Sequence, residues 1–227
     1  MLPAGDAGIR AADVESSMQE EHIITPLPGG GLLCIWRSAS GYACQGVSLD
    51  GGKTWNECSY ARYRPGGRRI KQPLACCRPH RLRDGRYLLW FHNTKHAGKS
   101  AVYRPRDVVW IAGGRARGGS IHWSQPEVLL YGENLPVNGL GMSYPDFIEA
   151  DGNVYVTTTD KEDARIFTID PLLLDGIWKQ ETKAQPPKKG LVLALNENTL
   201  REKKIHRIPP LPSLLHHGFT ISTTVRI

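Results

Sequence analysis

The chain has 227 residues, 40% hydrophobic and 22% charged, with 24 glycines, 16 prolines and a formal net charge of +7. That balance excludes a coiled coil, an ordinary helical bundle and a disordered tail, because there is apolar surface to bury and a chain breaker at short intervals. No run of 18 apolar residues is present to span a membrane, and the first 22 residues show no basic region followed by an apolar stretch, so no secretory signal is visible.

In chain order, the apolar stretches are short, β-rich and bounded by Gly or Pro. Gly29-Gly30-Gly31 precedes Leu32 to Trp36, Asp84-Gly85 precedes Tyr87 to Phe91, and Asp151-Gly152 precedes Val154 to Val156. The second and third have a further strand ahead of the turn, CCRPHRLRDG and MSYPDFIEADG, which makes each a hairpin. A third extended run follows each hairpin: GYACQGVSLD, RDVVWIAGG and ARIFTID. A fourth, WNECSYARY and then EVLLYGE, follows the first two. Four antiparallel strands recurring about every fifty residues are the pattern of a β-propeller blade. The equivalent strands are spaced by 55 and then 67 residues, which requires loop insertions such as KHAGKSAVYRP to vary. A β-sandwich competes, since strands every 8 to 12 residues fit it nearly as well.

The five cysteines, Cys34, Cys44, Cys58, Cys76 and Cys77, form no C-x-x-C pair and read as buried free thiols. His92 and His96 stand four apart, but no further zinc ligands accompany them, and nothing in the sequence calls for a metal or a cofactor.

The sharpest local motif is Ser48-Leu49-Asp50-Gly51-Gly52-Lys53-Thr54-Trp55. Its chemistry is a turn: Asp50 accepts backbone N–H bonds, Gly51 and Gly52 take positive φ, and Trp55 packs back as the next strand begins. The fixed positions Ser48, Asp50, Gly52, Thr54 and Trp55 match the Asp-box that recurs in sialidases and related propellers. Beyond it, RDGRYLLWFHN at 83–93, SIHWSQPE at 120–127 and SYPD at 143–146 resemble bacterial sialidase-like glycoside hydrolases with BNR/Asp-box repeats. The resemblance covers about residues 25–180. It implies an all-β fold, about three blades of a six-bladed sialidase-like propeller of four-stranded antiparallel sheets.

It also implies chemistry. Sialidases of this family cleave a terminal sialic acid with a tyrosine made reactive by a neighbouring glutamate, an exception to the two-carboxylate pattern of most glycosidases. A neutral phenol suits an anomeric carbon that already carries a carboxylate, which repels an attacking anion. Tyr144 occupies the expected place, on the first strand of a late blade, and also reads as a core aromatic before Pro145. Three arginines clamp the substrate carboxylate in the family, a planar bidentate task that lysine does poorly. Arg78 on the inner strand CCRPHRL is the best match for one of them, with a solvated surface arginine as the other reading. The family's R-I-P arginine and its acid/base aspartate belong to an earlier blade, and Arg207-Ile208-Pro209 falls in a Pro-rich linker instead. Asp146 is a catalytic candidate without an assigned role. His92, Lys161 and Arg165 are candidates for the substrate-facing mouth, Lys161 and Arg165 together with Thr158 and Asp160.

The resulting organisation is an N-terminal segment over 1–24, a partial propeller over 25–180, a Pro-rich basic linker over 181–213 and, over 214–227, a strand that resembles the opening of a laminin-G or concanavalin-like sandwich. Six blades of roughly 45 residues need about 270 residues, so the chain reads as the later part of a longer protein whose extracellular or periplasmic place the resemblance implies. The charge is patchy: 15 basic and 2 acidic residues over 62–117 are followed by 3 and 11 over 118–182. The expected partner is a sialylated or related glycan, cleaved by an exo-acting hydrolase or bound without catalysis. No nucleic-acid motif accompanies the basic stretch, whose arginines alternate with buried-looking runs such as YLLWF.

Overall fold

A computed structural model describes residues 19–95, 106, 108–131, 141–159 and 163–180. Its elements are three antiparallel meanders followed by a helix. The first sheet orders β1 (Gln19–Pro26), β2 (Leu32–Ser38), β3 (Cys44–Ser48) and β4 (Ser59–Tyr60) side by side. The second takes β5 (Arg78–Arg81), β6 (Tyr87–Phe91) and β7 (Val108–Arg117), whose outer edge carries β8 (Ser120–Trp123) at one end and β9 (Glu127–Tyr131) at the other. The third consists of β10 (Ser143–Ala150), β11 (Asn153–Thr159) and β12 (Ala164–Thr168), and α1 (Pro171–Lys179) follows it.

The sheets stack face to face, and β6 shows why a continuous apolar strand is needed. All five residues of YLLWF are buried. Tyr87, Leu89 and Phe91 join Leu33 and Ile35 in the core between the first two sheets, while Leu88 and Trp90 join Phe147, Val156 and Trp178 in the core toward the third. A strand covered on both faces has no polar side to alternate with. The first strands of the sheets are neighbours, β1 against β5 and β5 against β10. Successive meanders stacked through their faces, with first strands adjacent, are blades of a β-propeller, and the two-sheet sandwich is not what forms.

Three elements differ from the sequence reading. The first blade has its inner strand after all: β1 begins at Gln19, inside the segment set apart as 1–24. The strand β8 follows a tight Gly118-Gly119 turn. The helix α1 closes the stretch read as all-β over 25–180: Pro171 opens it, and the Asp170 carboxylate accepts from Leu172 N at 2.8 Å. The chain divides into units 1–181 and 182–227. The linker and sandwich expectations, and Arg207-Ile208-Pro209, lie outside the described residues.

Candidate active site

Two of the inner strands are irregular at the same end of their sheets. Pairing of β1 with β2 shifts register between Glu20 and Ile23, and pairing of β10 with β11 shifts between Ser143 and Asp146. Within these bulges Glu21 has φ +57° and Tyr144 φ +47°. Non-glycine residues held in the left-handed region cost of order 1–3 kcal/mol each and cluster where a side chain is re-aimed for use. Here the two bulges aim their side chains at each other: Tyr144 Oη donates to Glu21 Oε1 at 3.0 Å.

Arginines surround the pair. Arg37, the next-to-last residue of β2, places Nη1 3.0 Å from the same Glu21 oxygen. Arg78, at the start of β5, places Nη2 2.7 Å from Asp146 Oδ1. Arg106 donates to Ser143 Oγ at 2.7 Å and to the Leu74 carbonyl at 2.6 Å, which fixes it beside the strand that carries Tyr144. The buried thiol of Cys76 lies beneath this group, within the fields of Glu21, Arg78, Arg37 and Arg106. Three guanidinium groups against two carboxylates leave the region positive, and Tyr144, 53% exposed, opens it to solvent.

The Tyr144 phenol is harder to ionise than usual. Its hydrogen bond to Glu21 is the largest cause, followed by the Glu21 charge, with Arg37 and Arg106 pulling weakly the other way. A phenol hydrogen-bonded to a carboxylate keeps its proton at rest, and the carboxylate is positioned to take that proton as the oxygen forms a new bond.

The other anticipated residues lie elsewhere. His92 is a correction: it is 2% exposed, its backbone N–H donates to Gln72 Oε1, and its ring lies edge-on to Trp90 with Nδ1 3.1 Å from the Val108 carbonyl. It locks the end of β6 and is turned away from solvent. Arg165 stands on β12, separated from β10 by β11, and pairs with Asp163 at 3.2 Å. Lys161 and Asp160 lie outside the described residues. Thr158 is buried, donating to the Ser143 carbonyl at 3.0 Å.

Glu21, Arg37 and Arg106 were not anticipated. The signals were present: β-branched Ile23, Ile24 and Thr25 before a Pro and Gly turn mark an inner strand, and Arg37 is a lone charge closing an apolar strand.

The turn at 48–55 is built from side-chain bonds. Ser48 Oγ donates to Asp50 Oδ1 at 2.8 Å and accepts from Gly52 N at 2.8 Å, while Thr54 donates through N and Oγ1 to the two Asp50 oxygens at 2.9 and 2.7 Å. These bonds, led by the Thr54 backbone, hold the Asp50 carboxyl down at about 2. Gly52 takes φ +91° with Leu32 and Trp55 alongside. Ser48 pairs with Leu32, at the opposite end of β2 from Arg37, so this turn is remote from the Tyr144–Glu21 pair. All five cysteines are buried free thiols, and among the described residues no three His, Cys, Asp or Glu side chains gather as a metal-ligand set.

No family model and no curated protein sequence matches the chain. Similar solved structures include the intramolecular trans-sialidase from Ruminococcus gnavus in complex with oseltamivir carboxylate, at 22% identity over 73% of this chain and 34% of that one, with a TM-score of 0.48. The leech intramolecular trans-sialidase is 19% identical over 66% of this chain and 22% of its own, with a TM-score of 0.45. The Trypanosoma rangeli sialidase in complex with sialic acid is 12% identical over 72% of this chain and 26% of its own, with a TM-score of 0.44. The chain thus spans about a third or less of the length of these proteins.

Proposed function

We propose that the chain carries the nucleophile and the carboxylate-binding groups of an exo-acting glycoside hydrolase of the sialidase type, which releases a terminal sialic acid or a related acidic sugar from glycans. The observation that carries this reading is the Tyr144–Glu21 hydrogen bond, made across 123 residues of sequence between two strained bulges.

In this reading Arg37 and Arg106 receive the sugar carboxylate, which brings the anomeric carbon over Tyr144 Oη. The phenol oxygen forms a bond to the anomeric carbon as the glycosidic C–O bond breaks and Glu21 accepts the phenolic proton, so no free phenolate has to approach a carbon that bears a carboxylate; the departing oxygen takes its proton from solvent. Arg37 on the same Glu21 oxygen keeps that carboxylate oriented through a charge-assisted bond. Asp146 holds Arg78 at the rim of the pocket and acts as a positioning residue. Water then attacks the anomeric carbon as the bond to the tyrosine breaks, Glu21 returns its proton to the phenol oxygen, and the surplus proton of the water goes to solvent.

Release of 4-methylumbelliferone from its sialoside by the full protein tests this. Tyr144→Phe is expected to abolish turnover while sialic acid still binds, and Glu21→Gln to lower kcat by about 10²–10⁴-fold. Retention of more than a tenth of kcat in Tyr144→Phe removes the tyrosine from the mechanism. Binding of sialic acid without hydrolysis by the unmodified protein points to a glycan-binding module.

A further inference from the structure

The basic stretch that follows the first blade forms a defined surface. Residues 62–69 make a hairpin: Arg62 bridges Arg69, Tyr63 N bonds the Arg68 carbonyl at 3.0 Å, and Gly67 N bonds the Arg64 carbonyl at 2.9 Å across the turn. Lys71 then bridges Tyr42, in the turn that follows Arg37. Arg64, Arg68, Arg69, Lys71 and Lys95 are all exposed.

Their cations are pinned by tyrosines. The Arg69 guanidinium lies 4.2 Å from the centre of the Tyr60 ring and 5.5 Å from that of Tyr42, Lys95 Nζ is 5.2 Å from the Tyr42 ring, and Arg68 is 4.9 Å from that of Tyr63. Stacking on a ring face fixes a guanidinium while leaving its N–H edge free to bind anions. Among the described residues, no carboxylate pairs with Arg68, Arg69, Lys71 or Lys95. Pre-positioned cations without an internal counter-charge are an anion-binding surface, since little side-chain entropy is left to lose on binding.

The surface lies at the pocket end of the sheets. Arg37 closes β2 just before the turn that holds Tyr42, Arg78 opens β5 just after Lys71, and Lys95 follows the end of β6. The hairpin meets the outer strand β8, with Trp123 N bonded to the Tyr63 carbonyl at 2.8 Å and Arg68 bonded to Gln125. The cations therefore lie at the same end of the first two blades as the Tyr144–Glu21 pair and extend out to β8.

We propose that this hairpin and Lys95 bind the body of a polyanionic glycan, an acidic polymer of carboxylated or sulfated sugars, whose terminal residue enters the Tyr144 pocket. The placement of the end sugar rests on the proposed hydrolase reading, whereas binding of the polymer does not. A glycan fits better than a single-stranded nucleic acid because Tyr60 and Tyr63 are buried under their cations and offer no free face for a base.

The test measures binding of the full protein to octameric oligosialic acid, to chondroitin sulfate of similar length, to neutral dextran and to oligothymidylate, at two salt concentrations. Both acidic glycans are expected to bind, more weakly at higher salt, and dextran not at all; the stronger of the two identifies the anion. Arg69→Gln with Lys95→Gln should weaken the binding at least tenfold and leave hydrolysis of the small methylumbelliferyl sialoside within twofold. If that pair lowers Tm, Arg68→Gln with Lys71→Gln gives the same reading on exposed side chains. Unchanged polymer affinity in the folded variants overturns the proposal, as does tighter binding of oligothymidylate than of either glycan. Polymer binding by the unmodified protein without any hydrolysis of the sialoside leaves the surface standing and removes the hydrolase reading.

Discussion

At the scale of single residues, the two side chains that meet in the pocket are also two non-glycine residues with left-handed backbone. Neither conformation is local preference, because glutamate and tyrosine pay for a Cβ that crowds the backbone there. Tyr144 is raised in pKa first by its hydrogen bond to Glu21 and then by the Glu21 charge. Removing that charge therefore lets one tyrosine ionise more readily. In protein labelled at tyrosine Cζ, Glu21→Gln should move a single NMR titration to lower pH, and Tyr144→Phe should delete that same resonance. A titration unmoved by Glu21→Gln means that the two side chains do not meet in solution. The place of Tyr144 on the strand before a hairpin was legible in the sequence, whereas its contact with Glu21 was not: that contact depends on a bulge and on a partner 123 residues away. His92 is the opposite case, a polar residue next to an apolar strand that the fold buries, with its backbone N–H bonded to the Gln72 side chain and its ring Nδ1 beside the Val108 carbonyl.

At the scale of elements, hydrophobic pattern and turn residues were enough to place most strands, since period and Gly-bounded length report directly on burial. The helix α1 escaped because nine residues are too short for a clear period, and its fit is tertiary. Trp178 donates to the Tyr87 carbonyl at 3.3 Å, and Arg86 covers its ring at 3.8 Å. The helix sits on β7 at Gly113, where a Cβ would lie 2.7 Å from Trp178 and 3.0 Å from Ile177. Gly113→Ala is thus expected to push the helix outward, and Trp178→Ala to cost about 3–5 kcal/mol through the lost burial. Denaturant melts of both variants check this, with Leu172→Ala as the control, since that side chain is 80% exposed. If Gly113→Ala is as stable as the parent, the close approach of α1 to β7 is not part of the solution fold.

At the scale of the whole described fold, the cluster around Tyr144 belongs to no single blade. Glu21 and Arg37 come from the first sheet, Arg78 from the second, and Tyr144 and Asp146 from the third. Its geometry is therefore set by the cores between sheets, which resemble a close-packed solid more than a liquid and transmit displacement. Phe147 makes the case testable, because its side chain is buried in the core between the second and third blades, against the ring of His80, directly after Asp146. Phe147→Ala is expected to cost about 3–5 kcal/mol in a denaturant melt. It should also let β10 shift against β5, loosening both the Arg78–Asp146 pair and the Tyr144–Glu21 bond. The Tyr144 titration should then move toward its ordinary value and, if the proposed hydrolase reading holds, KM for the sialoside should rise although none of the side chains around Tyr144 has changed. A Phe147→Ala protein that is less stable but keeps the parent titration and KM would show that the inner strands hold the pocket by themselves, without the cores behind them.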